Sequence, residues 1–265
     1  MPSGARQRQS QLHVALSKTP SLVEMPVGYR PLQPLPPSMD ATVDPNNTTA
    51  FAADAQDLDR LRDLILDRKV LNVLEFGVGH SSAVMAAALK TNKTRYAGEI
   101  GSLRRQEPFK IYSVDESLEW IDQAAARLPP ELLPHVAFHH SAVEMGTFNG
   151  RVCTFYKTLP NVCPDLIYLD GPGQYCPEGD VRGISTRSPD RMPMAADILA
   201  MEHFLLPGTL ILVDGRTANA RFLKSNLQRD WSYTHDAEAD VHLFDLIEPP
   251  LGPVNKRHLA WALNR

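Results

Sequence analysis

The chain has 265 residues, 43% of them hydrophobic and 22% charged, enough apolar material for one large α/β domain with appended segments. A net charge of −4, from 27 Lys plus Arg against 31 Asp plus Glu, and a pI near 6.1 exclude a global basic field. Neither nucleic acid nor an anionic membrane is therefore expected as a partner, and a small molecule or neutral glycan fits better.

Cys153, Cys163 and Cys176 are odd in number and lack CxxC spacing, which indicates neither a disulfide framework nor a zinc knuckle. With no signal-type apolar segment and no run of about 18 apolar residues, the expected setting is cytoplasmic.

Residues 1–50 hold 8 of the 22 prolines and no sustained apolar period, so they read as a proline-rich arm preceding a catalytic domain over 51–265. An arm of this kind makes a swapped or embracing homodimer worth testing. From Asp54 the pattern changes, with Leu58, Leu61, Leu64 and Ile65 at the spacing of an amphipathic helix.

The runs at 70–76, 110–115, 135–142, 165–170 and 209–214 are short and largely apolar throughout, as expected for parallel strands covered on both faces. Helical segments SAVMAAALK, SLEWIDQAAARL and MAADILAMEHFL separate them, and that alternation predicts a doubly wound, mostly parallel α/β sheet of about seven strands. The tail 231–249 adds two strands around a turn at Asp236 to Asp240, an antiparallel pair closing one sheet edge. Two long connections remain, 92–109 and 171–193. The second follows the fourth strand with four Gly and four Pro, and is the candidate lid or acceptor-binding loop.

The stretch VLEFGVGHSS (73–82) runs an apolar strand through a glycine turn into a helix. Gly77 and Gly79 permit close approach of a ligand to the backbone, and the helix start offers free N–H groups. A dinucleotide fingerprint asks for GxGxxG and an acid about 20 residues onward. Ser82 stands at the third glycine position, and the acid at that distance is Glu99, in a polar, glycine-flanked segment. Asp115 is the better strand-ending acid, and no GxxxxGK[ST] phosphate loop occurs.

The turn, Asp115 closing the second strand, Ser141-Ala142 after the third, DLIYLDGP at the fourth and PGTLILVDG at the fifth together resemble the class I S-adenosylmethionine-dependent methyltransferases over residues 55–248. Within these, the paired LDGP and LVDG strand ends are most similar to small-molecule and sugar O-methyltransferases. The resemblance implies a Rossmann-like methyltransferase fold with S-adenosylmethionine as cofactor. It places Gly77, Gly79 and Ser81 against the methionine part, Glu75 near the amino group, Asp115 on the ribose and Ser141 with Ala142 beside the adenine, with Asp170 also bordering the cofactor.

Methyl transfer further needs deprotonation of the acceptor. Asp170 and Asp214, at neighbouring strand ends, are candidates either as a direct base or as ligands of a shared Mg²⁺. Gly215 and Arg216 follow Asp214 where metal-dependent relatives usually carry Asn or Asp. His80, just past the turn, is a third catalytic candidate. Two alternatives stay open: an NAD-dependent oxidoreductase using the same turn, for which Glu99 rather than Asp115 would hold the ribose, and a non-catalytic methyltransferase-like binding module.

Overall fold

The structure, a computed structural model, describes residues 54–264; the arm expected over 1–50 lies outside them. Helix α1 (Ala55–Asp67) is capped by the Asp54 carboxylate, which accepts from the Gln56 N–H at 2.8 Å, and it buries Leu61 and Ile65. Then follow β1 (Asn72–Phe76), α2 (His80–Tyr96), β2 (Lys110–Asp115), α3 (Leu118–Arg127), β3 (Val136–His140), β4 (Val143–Phe148), β5 (Arg151–Tyr156), β6 (Leu166–Leu169), α4 (Asp197–Met201), β7 (Leu210–Asp214), α5 (Thr217–Asn226), β8 (Trp231–Asp236), β9 (Val241–Leu246) and α6 (Gly252–Leu263).

Seven strands form one sheet in the order β3-β2-β1-β6-β7-β9-β8. Pairing is parallel from β3 to β7, whereas β9 runs antiparallel to both β7 and β8. This is the expected doubly wound, Rossmann-like sheet with its antiparallel C-terminal pair. Two apolar clusters cover its faces. Val73, Ile111, Leu166 and Leu212 pack with Leu61, Ile65, Met85 and Leu89 of α1 and α2. Leu74, Phe76, Val114, Ile167, Leu169, Ile211 and Val213 pack on the other face with Ile198, Leu223 and Phe244. The central strands are buried on both sides, which is why they read as unbroken apolar runs.

The structure departs from the sequence expectations in three places. The segment MAADILAMEHFL forms only the short α4 and a 3₁₀ turn, Glu202–Phe204. Helix α2 extends to Tyr96, so the 92–109 connection begins inside the helix. β4 and β5 form a separate antiparallel hairpin around Asn149-Gly150, both at positive φ (48° and 75°), the geometry that Asn-Gly favours in a two-residue turn. Among the described residues no helix is long and apolar enough to cross a membrane.

Candidate active site

The strand order reverses between β2-β1 and β6-β7, so the C-terminal ends of β1 and β6 flank a topological switch point, where open α/β sheets form their binding crevice. The turn after β1 and the loop after β6 meet there. The Gly77 N–H donates to the Val114 carbonyl at 2.9 Å, and the Asp170 N–H to the Phe76 carbonyl at 2.9 Å. Gly77 has φ +91°, and a Cβ on it would lie 2.8 Å from the Gly171 nitrogen; one on Gly171 would lie 2.5 Å from the Gly77 nitrogen. The two glycines thus let two backbones touch.

Gly79 differs. Its φ of −162° suits any residue, and the nearest atom to an added Cβ is Ser81 Oγ at 3.9 Å. Nothing in the packing of the described residues requires a glycine at 79, and the space above it opens beside the start of α2, whose cap makes no side-chain hydrogen bond.

Period-2 alternation turns Glu75 toward α2, in one row with Ser113 of β2 and Tyr168 of β6. It is fully buried (0% exposed), and three hydroxyls donate to it: Ser81 at 2.5 Å, Ser82 at 2.6 Å and Ser113 at 2.5 Å. Burial raises its carboxyl to about 7 despite those hydroxyls, with a small contribution from Asp170. Ser81 and Ser82 therefore hold Glu75, which explains why polar residues open an otherwise alanine-rich helix.

Asp115 ends β2 and accepts from the Val78 and Ser117 N–H groups, each at 2.7 Å. Burial first, then the neighbouring Glu116 carboxylate, raises it to about 7 against those two donors. Glu116 accepts from the Gly173 N–H at 3.0 Å and from the Tyr156 hydroxyl at 3.3 Å, tying β2 and β5 to the post-β6 loop. Tyr156 in turn stacks on Phe76, centroids 5.7 Å apart. Neither Glu116 nor Tyr156 was expected at the site. The signal was there: Glu116 directly follows Asp115, and Tyr156 ends the overlooked β5.

Ser141 is buried. Its N–H donates to the Asp115 carbonyl at 3.0 Å and its hydroxyl accepts from the Thr158 N–H at 2.9 Å, with half-buried Ala142 following. His80 is exposed as the first residue of α2. Glu99 stands past the other end of that 17-residue helix, about 25 Å from the turn at 1.5 Å per residue, and accepts from the Trp261 indole at 2.8 Å.

Asp170 keeps 55% of its side chain open to solvent, yet protein atoms crowd its carboxyl. That burial raises it to about 6, with Arg216 pulling down and Asp214 pushing up. The Arg216 guanidinium lies 3.5 Å from the Asp170 carboxylate, donates to the Pro172 carbonyl at 2.9 Å, and bonds the Asp170 carbonyl. Asp214 accepts from the Tyr168 hydroxyl at 2.8 Å and is raised by burial, an effect this hydrogen bond lowers.

The expected carboxylate pair does not fit a divalent cation. One carboxylate faces a guanidinium and the other a tyrosine hydroxyl, and among the described residues no third Asp, Glu, His or Cys joins them. Thr217 is the first residue of α5, with its hydroxyl bonded to Asp240. Asn219 does not reach the crevice, because its buried amide pairs with the Ala195 N–H and carbonyl, each at 2.9 Å.

No family model matches the chain, and no curated protein matches it. Solved structures with similar chain paths include the O-methyltransferase TomG from Streptomyces achromogenes, involved in tomaymycin synthesis and in complex with SAM (16% identity, 74% of this chain and 82% of that one, TM-score 0.40). An O-methyltransferase from Bacillus cereus in complex with SAH is 13% identical over 76% of this chain and 85% of that one, TM-score 0.43. The SAH-bound Podospora anserina methyltransferase PaMTH1 is 14% identical over 74% and 80%, TM-score 0.43.

Proposed function

We propose that the crevice binds S-adenosylmethionine and that the chain transfers its methyl group to a hydroxyl of a small molecule or sugar. The observation that carries this reading is the set of carboxylates around the glycine turn: Glu75, Asp115, Glu116 and Asp170, whose mutual repulsion reaches across the switch point. A ligand bearing a sulfonium and an ammonium relieves that repulsion, whereas the pyrophosphate of a dinucleotide adds to it. The position of Glu99 at the far end of α2 also counts against the oxidoreductase alternative.

In this reading Gly79 leaves room for the methionine part beside Gly77, and Glu75, set by Ser81, faces its ammonium. Asp115 accepts from the ribose hydroxyls with the lone pairs its two backbone donors leave free. Ser141 and Ala142 border the adenine.

The cofactor supplies a methyl group on a positively charged sulfur, open to displacement by an oxygen lone pair. The chain has to align the acceptor oxygen, exclude water and take the hydroxyl proton. Asp170 suits the last task, because its carboxylate is solvent-accessible and raised to about 6, close to neutrality. Arg216 fixes it in place. Asp214, held by Tyr168, and His80 stand as alternative bases, and the 171–193 loop shapes the acceptor side.

The test is incubation of the full chain with methyl-labelled S-adenosylmethionine and a panel of phenols, catechols and glycosides. Label transferred to a hydroxyl supports the reading. Saturable binding of NAD⁺ without binding of S-adenosylmethionine would replace it, and cofactor binding with no transfer across the panel would favour a binding module.

A further inference from the structure

Outside the crevice, the described residues hold one cluster of metal-ligating side chains, His235, Asp240 and His242. His235 of β8 and His242 of β9 are directly opposed cross-strand partners, with rings stacked at 4.0 Å and 13°. Asp240, at the end of the intervening turn, brings its carboxylate to 3.9 Å from His242 Nε2. One ligand atom from each of the three lies within 4.8 Å of the others.

The setting holds these groups in place. The Asp240 carbonyl accepts from the Gly215 N–H at 3.0 Å, anchoring the turn to the end of β7. His242 is 1% exposed, and its Nδ1 lies 2.9 Å from the Tyr233 hydroxyl, which fixes the ring plane. His235 and Asp240 are exposed, so entry from solvent is open.

We infer that His235, Asp240 and His242 form a transition-metal site of the Zn²⁺ class, with two imidazole nitrogens, one carboxylate oxygen and a water in the fourth position. Zn²⁺ takes such donors at about 2.0–2.2 Å in a tetrahedron, so the ligand atoms would have to sit about 3.4 Å apart. Closing from the observed separations requires rotation of the exposed His235 and Asp240 side chains and release of the Thr217 hydroxyl that now bonds Asp240. Ligation through His242 Nε2 leaves Nδ1–H to donate to the Tyr233 oxygen, and turns away the Thr217 hydroxyl that now lies 3.0 Å from Nε2. A single carboxylate and two imidazoles are too few oxygens for Mg²⁺ or Ca²⁺ and suit a borderline-soft ion. Lys224 stands over the Tyr233 ring at 3.9 Å. The ion would cross-link β8, β9 and the turn between them, next to the end of β7 at Asp214.

The experiment titrates Zn²⁺ into the full chain by calorimetry and follows Co²⁺ by visible absorption. The expected result is one ion per chain and the intense bands of tetrahedral Co²⁺. His235→Ala and Asp240→Asn, both at exposed positions, should each weaken binding by about tenfold or more, while Cys176→Ser and Asp170→Asn leave it unchanged. Absence of saturable binding overturns the site. So does binding that survives His235→Ala and Asp240→Asn, or binding that is lost with Cys176 or Asp170.

Discussion

Glu75→Gln isolates the energetic cost of the buried carboxylate. In the folded chain Glu75 titrates at about 7 against an ordinary value of 4.5. Between those values the folded state holds more protons than the unfolded one, so the contribution of Glu75 is most favourable below pH 4.5 and is lost as pH rises toward 7. A shift of about 2.5 units corresponds to about 3 kcal/mol at pH 8, of which only about 1 kcal/mol has accrued by pH 5. A glutamine carries the same shape with no charge to bury, although its NH₂ must find a place among the Ser81, Ser82 and Ser113 hydroxyls, a cost that does not vary with pH. Urea unfolding of the cofactor-free protein and variant at pH 5, 6, 7 and 8 gives the comparison. The variant should gain about 2 kcal/mol on the parent between pH 5 and pH 8. A difference that stays constant across that range would refute the assignment of an ionising, costly carboxylate at 75.

Four further outcomes are expected. Gly77→Ala should destabilise the fold by about 2–4 kcal/mol, from positive φ and collision with the Gly171 backbone. Gly79→Ala should change stability by less than about 1 kcal/mol but weaken cofactor binding; thermal melts and calorimetry on the pair separate packing from ligand room, and equal loss of stability would defeat the distinction. Arg105→Met should cost about 3–5 kcal/mol by stranding the buried Asp165, which also accepts from the Leu71 and Asn72 N–H groups at 2.9 and 3.0 Å and pairs with His258 at 3.3 Å. Burial pushes Asp165 up, but Arg105 and His258 outweigh it and hold it well below its ordinary value. A melting temperature within about 2 °C of the parent would contradict that account. Finally, Asp115 at about 7 must ionise to accept from both ribose hydroxyls, so cofactor affinity should fall about tenfold per unit below pH 7, with proton release on binding; a pH-independent affinity between 5 and 8 would count against it.

Much of the fold was legible because the central strands are buried on both faces and therefore carry their signal as continuous apolar runs, each ended by a turn or an acid. Asp115 and Asp170 stood out for the same reason, since a carboxylate closing an apolar strand marks the sheet's C-terminal edge. The β4–β5 hairpin escaped although Asn149-Gly150 announces it, because VEMGTF and RVCTFY are mixed in polarity and lie beside the edge-strand histidines. Helix α6 escaped as well: GPVNKRHLAWAL buries only Asn255, His258, Leu259 and Ala262, too weak an apolar face to be read as a helix. The serine cage of Glu75 could not be read from one segment, because Ser113 meets it only through the β1–β2 register. The fate of the carboxylate pair likewise depends on where Arg216 and Tyr168 reach, which spacing does not specify.

The central claim is that the acid-lined crevice at the β1–β6 switch point holds S-adenosylmethionine. Calorimetric titration of the full chain with S-adenosylmethionine, beside the Asp115→Ala variant, tests it most directly. One saturable site per chain, strongly weakened in the variant, is the predicted result. No saturable binding at about 1 mM cofactor, a bound of about 4 kcal/mol on the binding free energy, or an affinity that Asp115→Ala leaves unchanged, would contradict it.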